Sequence, residues 1–141
     1  MSSAYTDCPF CTMPAERVAL QNELAYAIYD KNPVMDLHAL IIPKRHTPDY
    51  FDLEIPEVLA CLELLSAFAK QIMAADGAVS GFNIGVNAGR IAGQSIFHCH
   101  MHLIPRRTGD VDDRKAEYAT LFRGCRATEN RPNRTDIPSA R

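Results

Sequence analysis

His98-Cys99-His100-Met101-His102-Leu103-Ile104 is the stretch that decides how this chain is read. Three of the chain's five histidines stand there at alternate positions. A β-strand repeats its side-chain direction every two residues, so a strand would place His98, His100 and His102 on one face. Phe97, Cys99, Met101 and Leu103 would share the other face, which is apolar throughout. Imidazole is the side chain suited to proton transfer and nucleophilic attack near neutral pH. The alternative is three unrelated histidines, and the consistency of the opposite face argues against it.

Strand geometry divides the row. Alternate residues lie about 6.6–6.8 Å apart, which separates His98 from His102 by roughly 13 Å. Zinc–nitrogen bonds are only about 2.0–2.1 Å long, so three histidines of a straight strand cannot share one ion. The two ends of the row therefore have different tasks. Cys8-Pro9-Phe10-Cys11 supplies one of them, because Cys-x-x-Cys is a zinc-ligand spacing. A redox role is the competing reading, but the strand before and helix after a thioredoxin-like motif are missing. Two free cysteines without metal are the plainer alternative. With His46 following Pro43-Lys44-Arg45 and His98 opening the row, Cys8, Cys11, His46 and His98 make a Cys2His2 structural set. Such a site would staple the N-terminus to the sheet and contribute to folding directly.

The loop before the row carries polar groups. Gly93-Gln94-Ser95 places an amide and a hydroxyl beside it, and Asn87 ends the preceding strand. Donors gathered around a nucleophilic imidazole suit the charge that develops on a phosphate. Each also has an ordinary reading: Gly89 and Gly93 as turn residues, Ser95 as a turn hydroxyl, Asn87 as a strand-end cap.

Elsewhere the pattern alternates between strand and helix. Strands are expected at Arg17–Leu20, Leu24–Tyr29, His38–Pro43, Phe82–Val86 and Ile96–Ile104, with Pro105 ending the last. A long helix is expected from Pro56 to Ala75, with Val58, Leu62, Leu65, Ala69 and Ile72 as its apolar stripe and Gly77 just past its end. Cys61 falls on or near that stripe. Hairpin strands, a helix and further hairpin strands give an α+β fold with an antiparallel sheet.

The 141 residues suit one principal domain, placed at 1–112. Residues 113–141 form a C-terminal tail, with a short helix expected at 113–123 and loose order after it. Net charge is −2, from −5 over residues 1–105 (6 basic, 11 acidic) and +3 over residues 106–141 (9 basic, 6 acidic). This balance gives no general pull toward nucleic acid or anionic lipid. No membrane span and no secretory leader are expected, which places the protein in the cytoplasm. The five cysteines are then expected to be reduced.

Taken together, the row, Gly93-Gln94-Ser95-Ile96-Phe97 before it, Pro105-Arg106 after it, and the run from Asp30 through His38 to Ile41-Ile42-Pro43-Lys44-Arg45-His46 resemble the histidine triad (HIT) family, in particular its Hint branch and bacterial relatives. The resemblance covers about residues 7–110. It implies a sheet of about five antiparallel strands with one long helix and short helices, extended across a homodimer. It implies a nucleotide hydrolase or transferase acting at the α-phosphate of nucleoside phosphoramidates or dinucleoside polyphosphates. His100 would be the nucleophile and form a nucleotidyl-histidine. The His98 carbonyl would orient it, His102 would contact phosphate oxygens, and Ser95 would bond the leaving group. Asn87 and Gln94 would hold phosphate, Asp30 would receive the ribose hydroxyls of a purine nucleotide, and His38 would support the active strand. One structural zinc per subunit and no organic cofactor complete the picture. Two other functions compete: a zinc-stabilised nucleotide- or protein-binding module with little turnover, and a zinc hydrolase using two histidines of the row.

Overall fold

The structure is a computed structural model that describes residues 5–110. The expected tail helix at 113–123 and the tail boundary lie outside the described residues. Five strands form one antiparallel sheet: β1 (Val18–Gln21), β2 (Ala25–Tyr29), β3 (Ala39–Pro43), β4 (Val79–Gly85) and β5 (Met101–Arg107). Their spatial order is β1-β2-β3-β5-β4. The helix α1 (Ile55–Ala75) joins β3 to β4. Short 3-10 turns stand at Ala15–Arg17 and Tyr50–Asp52. The α+β expectation holds.

Alternation on β2 and β3 builds two separate cores. Ala25, Ala27, Ala39 and Ile41 face α1 and pack with Cys61, Leu64, Leu65, Phe68 and Ile72. The small alanines let the helix lie close to the sheet. Tyr26, Ile28, Leu40 and Ile42 point the other way and pack under Phe10 of the N-terminal segment. In the β3–β5 register Leu40 stands opposite His102. Paired residues share a face, so His102 emerges on the side away from the helix.

Three expectations need correction. The first concerns β5. It begins at Met101, so of the histidine row only His102 is in a strand, while His98 and His100 lie in the segment before it. Cys99 donates its backbone N–H to the Thr47 carbonyl (2.7 Å) instead of to a sheet neighbour. Phe97 accordingly turns out to solvent, 43 % exposed, while Cys99, Met101 and Leu103 are buried as expected. Nor does Pro105 end the strand, since it stands opposite Phe82 and the ladder runs on to Arg107. Pairing with β3 covers only Met101 to Leu103. Beyond that point β5 has a neighbour on one side only, and an edge tolerates a residue without an N–H.

The second correction concerns the helix face. Leu62 is 58 % exposed, whereas Ala60, Cys61, Leu64, Leu65, Phe68 and Ile72 are buried. Leucines and isoleucines stand on several sides of α1, so apolar spacing alone fits more than one stripe. The third concerns membrane spans. By length and composition α1 is apolar enough to cross a membrane. Here its apolar side packs on the sheet.

The segment after β3 is tied to the helix. Arg45 grips the buried Glu57 through two hydrogen bonds (3.0 and 2.7 Å), and Glu57 also accepts the Glu54 N–H (2.9 Å). The pair holds Glu57 below the usual carboxylate range, chiefly through the Arg45 hydrogen bonds.

Phe68→Ala should cost about 3–5 kcal/mol in chemical denaturation, as large core truncations do. Leu62→Ala should cost less than half of that, in keeping with its exposure. Equal losses would contradict this assignment of the packed face.

Candidate functional site

Two groups of side chains meet at the segment from His98 to His102. At the first, a tight turn brings the cysteines together: the N–H groups of Cys11 and Thr12 both donate to the Cys8 carbonyl (3.1 and 3.2 Å). Cys8 Sγ and Cys11 Sγ each lie 3.4 Å from His98 Nδ1, and Cys11 Sγ lies 3.2 Å from His46 Nδ1. The four ligand atoms of Cys8, Cys11, His46 and His98 all fall within 4.8 Å of one another. Zinc bonds of about 2.3 Å to sulfur and 2.0–2.1 Å to nitrogen would set such pairs about 3.6 Å apart in a tetrahedron. The observed spacing is only slightly tighter.

The protons agree with this fit. His98 is fully buried, and its Nε2 lies 2.7 Å from the Pro43 carbonyl. A carbonyl only accepts, so Nε2 carries the proton and Nδ1 turns a lone pair toward the sulfurs. Fixing a ligand's tautomer through its other ring nitrogen is how proteins orient metal-binding histidines. Tyr5 stacks on His46 at 3.9 Å between ring centres. Burial, with Cys8 alongside, pushes the Cys11 thiol up to about 11. Two thiols so placed ionise readily only beside a cation. The residues therefore suit a four-coordinate, closed zinc site with no open position.

The second group lines a cavity of about 250 Å³ on the helix-free face of the sheet. His100, His102, His38, Asp30, Asn87 and Ser95 all contribute to its wall. His100 Nδ1 donates to the His98 carbonyl (2.8 Å), which leaves Nε2 with its lone pair. Phe10 meets the His100 ring edge-on at 5.1 Å and closes the site on one side. The Val34 N–H donates to His38 Nδ1 (3.2 Å), so His38 carries its proton on Nε2 and passes that bond to His102 Nδ1 (3.0 Å). His102 then presents Nε2–H as a donor. Asp30 stands 3.6 Å from His38 Nδ1, beyond hydrogen-bond range. Asp30, His38 and His102 lie close enough for a second cation, but their facing nitrogens are already spent on each other.

Burial holds all three imidazoles neutral. It lowers His100, against the pull of the His98 carbonyl. It lowers His38, against the nearby Asp30 carboxylate. His102 falls furthest, to about 4, through burial first and then through neighbouring His100 and His38. A neutral imidazole on His100 is the nucleophilic form.

Nearly every residue singled out from the sequence meets at one of these two groups. Gln94 differs from its expected role. It is 5 % exposed, accepts from the Gly89 N–H (2.8 Å), and donates to the carbonyls of Pro48 (2.8 Å) and Ile96 (3.0 Å). Its amide is thus committed to shaping the loop, in which Gly89 and Gly93 take the positive φ angles (94° and 92°) that glycine permits. Ser95 is exposed at the rim, between this cavity and a second one of about 380 Å³ beside Cys8, His46 and Phe97. Sequence reading missed Phe10, whose place beside the imidazoles depends on the N-terminal segment folding back, and the carbonyls of Pro43, Thr47 and Pro48. The position of Phe10 between the two cysteines was the only available signal.

Comparison with known proteins gives one family. The HIT domain model matches residues 13–109. An adenylylsulfatase from Arabidopsis thaliana is 37 % identical over 113 residues, 77 % of this chain; the match spans only 57 % of that protein's length. A HIT-like protein from Mycoplasma genitalium is 36 % identical over 108 residues, covering 72 % of this chain and 74 % of its own. Among solved structures, a zinc-bound histidine triad family protein from Mycobacterium smegmatis superposes with a TM-score of 0.67 at 32 % identity, covering 84 % of this chain and 91 % of the other. A diadenosine triphosphate hydrolase from Plasmodium falciparum, in complex with cyclomarin A, gives 0.62 at 28 % identity, covering 78 % and 76 %.

Two outcomes follow. Protein purified without chelators should carry about one zinc per chain, and Cys8→Ser/Cys11→Ser should lose both the metal and thermal stability. Metal analysis showing no zinc would contradict the site, and a folded, equally stable double variant would show it to be dispensable. In an NMR titration His38 and His102 should stay neutral below the ordinary 6.5. Their folded values lie below the unfolded one, so the stability they contribute is complete above about 6.5 and is lost as pH falls below it, for His102 as pH falls toward about 4. A His102 midpoint at or above 6.5 would overturn the assignment.

Proposed function

Because the chain belongs to the histidine triad family, we propose that it is a nucleotide hydrolase or transferase acting at the α-phosphate of nucleoside phosphoramidates or dinucleoside polyphosphates, through a covalent nucleotidyl-His100. The observation that carries this reading is the His100 ring. It is held by the His98 carbonyl with Nε2 free, inside a cavity that also holds His102 and borders on Ser95.

In the first step the His100 Nε2 lone pair attacks the α-phosphorus. The P–O or P–N bond to the leaving group breaks, and the Ser95 hydroxyl, as a hydrogen-bond donor, aids departure. His102 Nε2–H donates to a phosphoryl oxygen as negative charge builds there. Its neutral form is useful, because it donates a hydrogen bond without the charge that would hold product. In the second step water, or another acceptor, attacks phosphorus and releases a proton to solvent, which balances the one the leaving group takes up, and His100 leaves with its lone pair restored. Splitting one displacement into two in this way is the advantage of a covalent intermediate. Asp30 and Asn87 supply polar groups for the ribose and phosphate.

The adenylylsulfatase and the diadenosine triphosphate hydrolase among the similar proteins support an adenine nucleotide as substrate. The closed Cys2His2 set supports a structural zinc. We extend the reading to a homodimer. β4 is an edge strand, and Ile84 on it (57 % exposed), with Ile55, Leu59 and Leu62 on α1, offers apolar surface for a partner copy.

His100→Ala should lower the rate of hydrolysis of an adenosine phosphoramidate and of a diadenosine polyphosphate by at least about 10³-fold, with nucleotide binding retained. Full activity in the folded variant would overturn the mechanism.

A further inference from the structure

His98 belongs to both groups of side chains at once. Its ring nitrogens are fixed by Cys8, Cys11 and the Pro43 carbonyl, and its own carbonyl holds His100 Nδ1. The main chain at this point has little other support. His98 and His100 precede β5, so no ladder bond fixes them, and the backbone bond found there is Cys99 N–H to the Thr47 carbonyl. The segment from residue 43 to 48 acts as a cradle. Its carbonyls at Pro43, Thr47 and Pro48 receive His98 Nε2–H, Cys99 N–H and the Gln94 amide in turn. His46 stands in the middle of that cradle and reaches Cys11 Sγ at 3.2 Å. Arg45 anchors the cradle to the helix through the buried Glu57.

We propose that Cys8, Cys11 and His46, with the 43–48 cradle, are positioning residues for the nucleophile: ligation of His98 sets the direction of its carbonyl, and through it the tautomer and aim of His100. This rests on the reading of His100 as the nucleophile. The distance from ligand to nucleophile is two residues, with one carbonyl between them. A misplacement of about 1 Å can cost on the order of 10²-fold in rate, so small shifts at His98 matter. Metal occupancy then does more than stabilise the N-terminal clip. It governs the rate of the chemical step, while the ribose and phosphate contacts from Asp30, Asn87 and His102 remain.

The test uses the full chain with zinc bound, and His46→Ala, which removes a ligand without touching His100. His46→Cys serves as the conservative variant, since Cys3His sets also hold zinc. In His46→Ala kcat should fall on the order of 10- to 100-fold, the usual cost of losing an orienting partner, with KM within about threefold. His46→Cys should restore most of kcat. Side-chain 15N NMR should show a single Nδ1–H tautomer of His100 in the wild type and a mixture in His46→Ala. A folded His46→Ala with kcat within twofold of wild type, or with its loss confined to KM and the single tautomer kept, overturns the proposal.

If His46→Ala does not fold, the wild-type chain loaded with Co2+ decides the matter. Its visible ligand-field absorption should shift when AMP fills the cavity, because coupling between two sites is reciprocal. A spectrum unmoved at saturating AMP overturns the proposal. Failure here is separable from failure of the enzymatic reading. An inactive His100→Ala beside an undisturbed His46→Ala removes only the coupling, whereas an active His100→Ala removes the nucleophile itself.

Discussion

The bond between His98 Nε2 and the Pro43 carbonyl fixes the ring at which the two groups of side chains meet. At 2.7 Å and fully buried, it leaves the ring one tautomer. That choice frees Nδ1 for the cysteine sulfurs and fixes the plane of the ring. The His98 carbonyl is then in place to do the same for His100, whose Nε2 becomes the free lone pair. A parallel chain runs from the Val34 N–H through His38 to His102 and ends with a proton facing the cavity. The two chains deliver opposite things to one space, a lone pair from His100 and a donor from His102. The proposed attack on a phosphoryl group uses both. Neutrality of all three rings, enforced by burial, keeps each chain in the form that works.

The fold exists to hold these chains at the right distance. Alanines on β2 and β3 bring α1 close on one face, and the larger residues of the same strands build a second core beneath Phe10 on the other. Phe10 stands between the two cysteines, so the segment that carries these two candidate metal ligands also delivers an aromatic wall to the His100 ring. The hydroxyl of Tyr26 on β2 donates to the Phe10 carbonyl and ties that wall to the sheet. Stability and chemistry are therefore built from the same few residues.

Much of this was legible in the sequence. Short apolar runs bounded by turn residues placed all five strands in chain order, the last beginning later than expected, and the length and ends of α1 followed from its apolar run and its proline. Three histidines on a straight strand cannot share an ion, and His98 and His102 do fall in different groups, although the strand itself begins later. What escaped was set by backbone. The carbonyls of Pro43, Thr47 and Pro48 carry no residue code, so nothing in the sequence shows that they organise the segment from Gln94 to Cys99. Gln94 looked like a phosphate ligand because an amide beside a histidine row suits one, and only the three backbone bonds show that it is occupied. Leu62 looked buried because α1 is apolar on several sides, and Pro105 looked like a strand end because sequence alone does not tell an edge from an interior neighbour.

The central claim is that His100 Nε2 forms a bond to phosphorus. Rapid acid quench of the enzyme with an adenosine phosphoramidate, followed by peptide mass spectrometry, tests it most directly. The account predicts an adenylyl adduct on the peptide containing His100, formed at least as fast as turnover and absent in His100→Ala. Turnover with no adduct at any quench time, or an adduct on His38 or His102 instead, would contradict it.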